Sequence, residues 1–306
     1  MPQGPLTGFG PGKVILLGEH AVVYGYPALA GPLSRGVTAR AFPSKGCALS
    51  IPPAVRGQRR QLLAKAFERA AKATGRPLVR IEVDSDLPLS MGLGSSAALA
   101  VACSRVLLTA AGKGASPEQV AKVAGEMERE FHGTPSGVDH TTSAQGHLIH
   151  FQRRGKSSVV RGVKCPRPLK VLVALVGERG STKLTVAALR ARRDRWPARY
   201  LRLFDQIGSL AADGVRACER GDLEALGDAM NVNHGLLSAL QLSSEGLDAM
   251  VHRLRRLGAL GAKLTGAGGD GGAVLGLFLE PEPAVARLSR EGVRCFVSQV
   301  AGPREL

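Results

Sequence analysis

The apolar positions in the first half of the chain alternate between strand-like and helix-like spacing. Short apolar runs bounded by turn residues predict strands, at residues 13–18, 20–25, 36–42, 47–51, 79–87, 146–151 and 157–163. Apolar residues at helical spacing predict a helix over Arg59–Thr74, which a glycine and a proline end. A further helix is predicted to begin at Ser95 or Ser96 and to run to about residue 111.

A third helix has a complete start signal. Ser116, Pro117 and Gln119 form an N-cap, a first-turn proline and a capping-box partner. One apolar stripe follows, made of Val120, Val123, Ala124, Met127 and Phe131. The run His132–Asp139 is predicted to break this helix, because it contains two glycines and a proline.

The second half of the chain repeats the alternation. Pro166 and Pro168 mark a hinge. Beyond it the pattern predicts, in order, a strand at 170–176, mostly helix at 183–257, a strand, glycine loop and apolar segment over 262–278, a helix at 283–290 and a strand at 293–300. Mixed strands and helices in both halves predict an α+β fold with two domains, 1–165 and 166–306.

Composition narrows the class of protein. The chain has 306 residues, of which 44% are hydrophobic, so it has a globular composition. No apolar run reaches the roughly 18 residues that a membrane span needs, and the first residues do not resemble a signal peptide, so we expect a cytoplasmic protein. The five cysteines are scattered without a CxxC pair, which argues against a zinc site and a disulfide framework.

The chain is strongly basic, with a formal net charge of +16. Such a balance favours anionic partners, which include nucleic acid, acidic membranes and phosphorylated small molecules. Aromatic residues make up only 4%, too few for the stacking platforms of single-strand binders. Many arginines fall in helical segments such as residues 190–203, where solvated helix faces are the simpler interpretation.

The segment from Pro88 to Leu99 has the pattern of a phosphate-binding loop. Glycines let the backbone approach an anion, and a helix N-terminus supplies unpaired N–H groups and partial positive charge. Ser95 and Ser96 add hydroxyls at this helix start. No lysine follows the last glycine, so this is not a Walker A loop. A tight turn with a serine N-cap is the alternative interpretation.

A second candidate site lies between Pro11 and Gly25. Lys13 follows a Pro-Gly turn, and Glu19 and His20 occupy the next turn. A lysine, an acid and a histidine at one sheet edge suit an anionic, hydroxylated ligand. An ordinary hairpin with a surface lysine is the alternative.

A third glycine-rich segment runs from Thr265 to Gly272. It contains the GxGxxG spacing, but it lies too near the C-terminus for the strands of a dinucleotide-binding sheet to follow. A loop packed against a bound phosphate, or a bulged hairpin, fits this segment better.

Carboxylates near the predicted helix break are candidates for chemistry. Asp139 follows the Thr134–Gly137 turn and either caps a helix or faces a substrate hydroxyl. Glu128 and Glu130 lie on opposite flanks of the preceding apolar stripe, and periodicity does not choose between them.

Together these segments resemble the GHMP kinase family. The motifs that carry the resemblance occur in family order over most of the chain: PGKVILLGEHAVVYG at 11–25, PLSMGLGSSAA at 88–98, EREFHGTPSGVD at 128–139, RGSTK at 179–183 and KLTGAGGDGG at 263–272. The resemblance implies a two-lobed α+β fold with a nucleotide-binding N-terminal lobe and a C-terminal lobe with ferredoxin-like elements.

The resemblance also implies roles for particular residues. Asp139 matches the general base and Lys13 the lysine beside it, while Ser96 and Glu128 match ligands of Mg²⁺. The nucleotide phosphates would contact Pro88, Gly92, Leu93, Gly94, Ser95, Ser96 and Ala97. The substrate would contact Lys13, Glu19, His20, Asp139, Thr182, Gly266, Ala267 and Gly268. Thr134 and His140 depart from the family pattern, which often has asparagines at these positions.

The activity implied by the resemblance is ATP- and Mg²⁺-dependent phosphorylation of mevalonate to 5-phosphomevalonate. A small-molecule substrate, no nucleic acid, no membrane and a homodimer are the expected partnerships. Another small-molecule kinase of the family, such as one acting on phosphomevalonate, is an alternative. A non-catalytic relative that binds anions or nucleic acid is a further alternative, which the net charge motivates.

Overall fold

A computed structural model describes residues 5–88, 91–155, 157–177 and 182–301. The chain forms two compact units. Unit 1 consists of Met1–Lys13, Arg35–Leu87 and Gly94–Gly146, and unit 2 of Val14–Ser34, Pro88–Leu93 and His147–Leu306. The strands β1 (Leu6–Leu17) and β2 (Pro27–Pro43) each contain a boundary between the units.

Unit 1 combines a small sheet with mutually packed helices. The end of β2 pairs antiparallel with β4 (Val79–Ser85), which pairs in parallel with β3 (Ala48–Leu49). The helices of this unit are α1 (Gly57–Thr74), α2 (Ser95–Ala110), α3 (Pro117–His132) and α4 (Val138–Gln145). Helix α3 packs against the other three, so it lies at the centre of the group.

Two glycines of β1 bring that strand directly onto α2. A Cβ at Gly8 would lie 2.8 Å from the carbonyl oxygen of Ala102, and a Cβ at Gly10 would overlap the backbone at Ala98. Because neither position has a side chain, the strand lies against the helix backbone. Lys13, three residues further along β1, is thereby carried toward the start of α2.

The strands and helices that lie wholly in unit 2 are β5 (Ile149–Arg154), β6 (Ser157–Gly162), β7 (Leu169–Val176), α5 (Thr182–Arg195), α6 (Pro197–Arg220), α7 (Leu223–Ala239), α8 (Glu245–Arg256), β8 (Gly261–Thr265), β9 (Gly272–Phe278), α9 (Glu282–Arg290) and β10 (Cys295–Ala301). Four of these strands form an antiparallel sheet in the order β10-β7-β9-β8. Phe204 and Ile207 of α6 and Val251 of α8 belong to a core that also contains Leu264 and Val274 of the sheet. All five residues of β8 are buried.

Most predicted elements are confirmed, one local prediction is wrong, and one helix was not predicted. The predicted strand over His20–Gly25 is a short 3₁₀ helix, Ala21–Tyr24, because the amide of Val22 bonds back to the carbonyl of Gly18 instead of to a neighbouring strand. The segment after the helix break forms α4, which the sequence pattern did not predict. Among the helices that the structure describes, none has the length and apolar character of a membrane span.

Candidate active site

The start of α2 has the geometry that the phosphate-loop interpretation requires. Gly94 is the N-cap residue and has left-handed backbone angles, φ 76° and ψ 32°. Its carbonyl accepts the amide of Ala98, while Ser95 and Ser96 form the first turn. The other N–H groups of a first helical turn lack partners within their own helix, so this end is suited to an anion.

The phosphate-loop segment contains a unit boundary, between Leu93 and Gly94. In unit 2, Gly92 has a φ of 82° and the side chain of Leu93 is buried. Leu89 and Ser90 lie outside the described residues.

Gly94 also makes room for Lys13. A Cβ at position 94 would lie 2.8 Å from Lys13 Cγ, closer than a real Cβ contact. The stem of Lys13 therefore passes directly over the helix start, and both the backbone angle and this contact require glycine at position 94.

Lys13 and Asp139 form an ion pair. Lys13 Nζ lies 3.1 Å from Asp139 Oδ1, and the lysine side chain is 4% exposed whereas that of the aspartate is 35% exposed. Asp139 occupies the first turn of α4, whose N-cap is Gly137. The structure thus holds an enclosed ammonium group against a carboxylate that a ligand can still reach.

Glu128 is the buried acid of the two that periodicity left open. It is 1% exposed on α3, whereas Glu130 forms a partly exposed ion pair with Arg69 at 2.8 Å. Burial raises the pKa of Glu128 to about 7, and the nearby charge of Asp139 acts in the same direction. A hydrogen bond with Ser96 and the charge of Lys13 lower the pKa of Glu128 and only partly offset these effects.

The surroundings of Glu128 fit a bound cation. Its Oε1 is buried without a hydrogen-bond partner among the described residues, which is costly for a carboxylate. His132 Nε2 lies 3.8 Å from Glu128 Oε2 and 3.2 Å from Ser96 Oγ, so the three side chains form one group. Oxygen ligands of this kind, a carboxylate and a hydroxyl, are those that Mg²⁺ prefers. The described residues contain no cluster of three or more His, Cys, Asp or Glu side chains that would form a ready-made metal cage.

His140, one of the departures from the family pattern, packs between α4 and α3. A Cβ at Gly125 of α3 would lie 3.3 Å from His140 Nε2, so this glycine accommodates the imidazole. Burial lowers the pKa of His140 to about 4, which keeps the ring neutral beside Asp139 at neutral pH. Thr134, the other departure, is exposed in the turn before α4.

In unit 2, Glu19 lies at the centre of a buried polar network. Its Oε1 pairs with Lys263 of β8, and its Oε2 accepts a 3.2 Å hydrogen bond from Asn233 of α7. Glu19, Lys263 and Asn233 all have 0% exposure. Removing one partner of such a buried pair typically costs about 3–5 kcal/mol.

His20, next to Glu19, has an unusual backbone conformation. Its φ is 60° and ψ −45°, and the amide of Ala21 donates a 2.6 Å hydrogen bond to the carbonyl of Glu19. This i to i+2 bond with positive φ defines a classic γ-turn, a strained conformation that costs about 1–3 kcal/mol. The His20 imidazole lies 3.0 Å, Nε2 to O, from the carbonyl of Ala267.

The third glycine-rich segment is a loop between two antiparallel strands. It joins β8 to β9 in a hairpin whose strands pair without a bulge. Gly266, with φ 82°, lies so close to Gly92 that a Cβ would meet its carbonyl oxygen at 3.2 Å. Gly268, with φ 67°, lies against the carbonyl of Leu242, which a Cβ would overlap. The first and third predicted motifs therefore contact each other within unit 2.

Thr182 begins α5 and is partly buried. Arg179 and Ser181, which belong to the same sequence motif, lie outside the described residues.

Three residues of these networks were not singled out from the sequence: His132, Asn233 and Lys263. Lys263 had a detectable signal, since it is the one charged residue in the apolar run Gly261–Leu264. A lysine is almost never fully buried unless it is paired. His132 lies within the motif at 128–139 but was given no role there, and Asn233 had no signal, because an asparagine within a helix is ordinary.

Comparison with known proteins defines the family to which this chain belongs. The profile of the GHMP kinases N terminal domain matches residues 61–147, and that of the GHMP kinases C terminal region matches residues 215–294. The chain belongs to the GHMP kinase family, and it is therefore an enzyme that uses ATP as phosphate donor.

The similar proteins point to one member of that family. A mevalonate kinase of Pyrococcus horikoshii is 32% identical and aligns with 93% of this chain and 96% of its own length. A mevalonate kinase of Aeropyrum pernix is 36% identical over 89% of this chain and 88% of its own. The crystal structure of L. major mevalonate kinase in complex with R-mevalonate matches with a TM-score of 0.85, 28% identity and 99% coverage of both chains.

Proposed function

We propose that this protein transfers the terminal phosphoryl group of ATP to the 5-hydroxyl of mevalonate and releases 5-phosphomevalonate and ADP. The observation that carries the proposal is the Lys13–Asp139 pair beside the glycine-capped start of α2. A carboxylate that can accept a hydroxyl proton then lies in the same unit as a helix end suited to phosphate. The sequence identity between this chain and the mevalonate kinases above, over most of both chains, supports the choice of mevalonate as substrate.

Asp139 and Lys13 act on the hydroxyl. In this proposal the ammonium of Lys13 binds the reacting oxygen and holds it in line, and Asp139 accepts its proton as the new P–O bond forms. Phosphoryl transfer depends mainly on alignment and charge compensation, so positioning by these two groups is as important as proton removal.

The amides of the first turn of α2 and the hydroxyls of Ser95 and Ser96 bind phosphate oxygens. In unit 2, Pro88, Gly92 and Leu93 are assigned to the nucleotide, and Glu19, His20, Thr182 and residues 266–268 to the mevalonate side. These assignments rest on the motif matches and on the conformations described above.

Glu128 and Ser96 are the residues that would hold Mg²⁺. The ion supplies charge compensation to the phosphates when it is bound. The buried Oε1 of Glu128, which has no hydrogen-bond partner among the described residues, supports this assignment, because a bound cation would give it a ligand contact. With the cation bound, Glu128 remains ionised despite its burial.

ADP release in a coupled assay tests the substrate. Mevalonate, phosphomevalonate and galactose are offered in parallel with saturating ATP and Mg²⁺. We expect turnover with mevalonate and none above background with the other two. Equal or faster turnover with phosphomevalonate would reassign the enzyme within the family, and no turnover with any of them would favour a binding protein.

Two variants test the chemistry. Asp139→Asn and Lys13→Met should each lower kcat by about 100-fold or more, the range attributed to a positioned acid or base. Asp84→Asn and Lys122→Met are matched controls at exposed positions of unit 1 and should retain full kcat. Wild-type turnover of Asp139→Asn would remove Asp139 from the mechanism.

We also propose that the protein is cytoplasmic. All five of its cysteines are free thiols, as expected in a reducing compartment.

A further inference from the structure

Both carboxylate oxygens of Glu19 have partners among other residues of unit 2. One oxygen pairs with Lys263 and the other accepts from Asn233, and none of the three side chains is exposed. Lys263 Nζ also donates to the carbonyl of Leu264 at 2.6 Å. Glu19 is therefore fixed from two secondary-structure elements, α7 and β8.

This fixed residue directly precedes the γ-turn at His20. The turn closes on the carbonyl of Glu19 itself, which accepts the amide of Ala21. A strained backbone conformation persists only where its surroundings hold it from several sides. Here the Glu19 side chain anchors the first residue of the turn, and the contact of the His20 imidazole with Ala267 anchors its central residue.

Both anchors depend on the same part of unit 2. Lys263 lies in β8, and Ala267 lies in the loop that follows β8. Thr265 of the same strand bonds both the amide and the carbonyl of Ile15 in β1, at 3.2 and 3.1 Å. The position of the His20 ring is thus set by β8 and by Asn233 of the neighbouring α7.

We propose that Asn233 and Lys263 are positioning residues that act through Glu19 to hold the His20 imidazole in its binding geometry for mevalonate. The inference rests on the proposed function, in which His20 contacts the substrate. Glu19 belongs to the mevalonate side in that proposal, and the inference adds that its carboxylate, with a protein partner on each oxygen, holds the adjacent His20 in place.

A purely stabilising role fits the network less well. A buried ion pair gives little net stability compared with apolar side chains of the same volume. Asn233 Oδ1 is buried without a partner among the described residues, which is a further cost. An arrangement that accepts these costs is better explained by the geometry that it imposes on the adjacent γ-turn.

A double-mutant cycle between Asn233 and His20 tests the proposal, with mevalonate as the varied substrate and ATP saturating. Asn233→Ala keeps the Lys263–Glu19 pair, so the protein should remain folded, which thermal unfolding checks. We expect Asn233→Ala to lower kcat/KM for mevalonate by about 10- to 100-fold, as misplaced binding groups do. The KM for ATP should stay within about twofold, because the nucleotide contacts are untouched.

The same substitution should have little effect once His20 is gone. In a His20→Ala background, Asn233→Ala should change kcat/KM for mevalonate by less than about twofold, because residues that act through one another are not additive. If Lys263→Met folds, it too should lower kcat/KM for mevalonate in the wild type and have little effect in the His20→Ala background. If Lys263→Met does not fold, the Asn233→Ala result alone tests the proposal.

Asn231→Ala is the matched control. Asn231 lies on the same helix and bonds Leu260 and Ala262 at 3.2 and 3.0 Å, outside the Glu19 network. It should lower the unfolding temperature and leave the KM for mevalonate unchanged. If Asn233→Ala lowers kcat/KM equally in the wild type and in the His20→Ala background, the positioning role is overturned and the proposed function is not affected. An unchanged KM in His20→Ala would instead remove His20 from substrate binding, and the inference with it.

Discussion

The stem of Lys13 occupies the space where a side chain at position 94 would begin, so that residue 94 is a glycine for two independent reasons. A Cβ there would lie 2.8 Å from Lys13 Cγ, and the φ of 76° is itself unfavourable for other residues. The position of Lys13 and the backbone conformation at the start of α2 therefore depend on the same glycine.

Gly94→Ala should lower kcat by about 100-fold, because it displaces the Lys13 ammonium, which we propose binds the reacting oxygen. Gly112→Ala is the control at the other end of α2, with a φ of 64° and no atom within 4 Å of the added Cβ. It should cost about 1–2 kcal/mol of stability and leave kcat unchanged. Steady-state kinetics and thermal unfolding of both variants check this, and equal kcat losses would contradict the steric explanation.

Glu128→Gln should weaken the activation of the enzyme by Mg²⁺. The substitution replaces a carboxylate oxygen by a neutral amide, so the apparent Mg²⁺ affinity should fall at least about tenfold, the lower range seen even for outer-sphere partners. Titration of ADP release with Mg²⁺ measures this. Glu130→Gln, the neighbour paired with Arg69, should titrate like the wild type.

The same residue should leave a pH signature in metal-free protein. Burial raises the pKa of Glu128 from 4.5 to about 7, so its folded form binds a proton more tightly than its unfolded form. Its contribution to stability is complete below pH 4.5 and is lost as the pH rises through 7, by about 3 kcal/mol at most. Glu128→Gln should therefore gain stability relative to wild type over this window. A parallel pH dependence of the two proteins would rule out the buried ionisation.

His234 should have the opposite pH signature. Burial lowers its pKa from 6.5 to about 4, although Asp248, 3.0 Å from Nε2, opposes the shift. The unfolded chain therefore binds the extra proton between pH 6.5 and 4, and stability falls as the pH falls through this window. His234→Gln should flatten that slope in urea unfolding, whereas His252→Gln, at an exposed position of α8, should retain it.

Gly268→Ala should be more damaging than the same substitution at a positive-φ glycine that has open space around it. Its Cβ would overlap the carbonyl of Leu242, whereas Gly258, with φ 95°, has nothing within 4 Å. We expect Gly268→Ala to cost about 1–3 kcal/mol more than Gly258→Ala, and to raise the KM for mevalonate if residues 266–268 bind it. Denaturant unfolding and kinetics of the two variants make the comparison, and equal stabilities would show that the loop adapts.

Local signals in the sequence were sufficient to predict helix boundaries where they agreed with the tertiary environment. The capping box of α3 is present as predicted, with Ser116 accepting the amide of Gln119 and the Gln119 side chain accepting from Ser116. Helix α1 ends at Gly75 in a left-handed conformation. Such signals act within a few residues, so the pattern of strands and helices could be predicted.

Two elements were not predicted because tertiary contacts or weak propensities decide them. Val22 and Val23 favour a strand by composition, but the strained turn at His20 closes the segment into a 3₁₀ helix. Helix α4 contains two threonines and a serine, which are poor helix formers, and Thr142 bonds back to the carbonyl of Val138.

The candidate site was predictable as a set of motifs but not as a network. Motif matches single out Lys13, Glu128 and Asp139 without stating their contacts. Only the structure shows that Glu128 rather than Glu130 is buried, since the two acids flank the same stripe. Asn233 is found only through its bond to Glu19, and the partner of Lys263 could not be predicted, because Glu19 lies more than two hundred positions away from both in the sequence.

The Glu19–Lys263 pair also constrains how this sequence can diverge. A replacement of either residue alone passes through a protein with an isolated charge in its interior, which selection against unfolding removes. We therefore expect homologous sequences to change positions 19 and 263 together or not at all, and an alignment of relatives would display the two columns as a correlated pair.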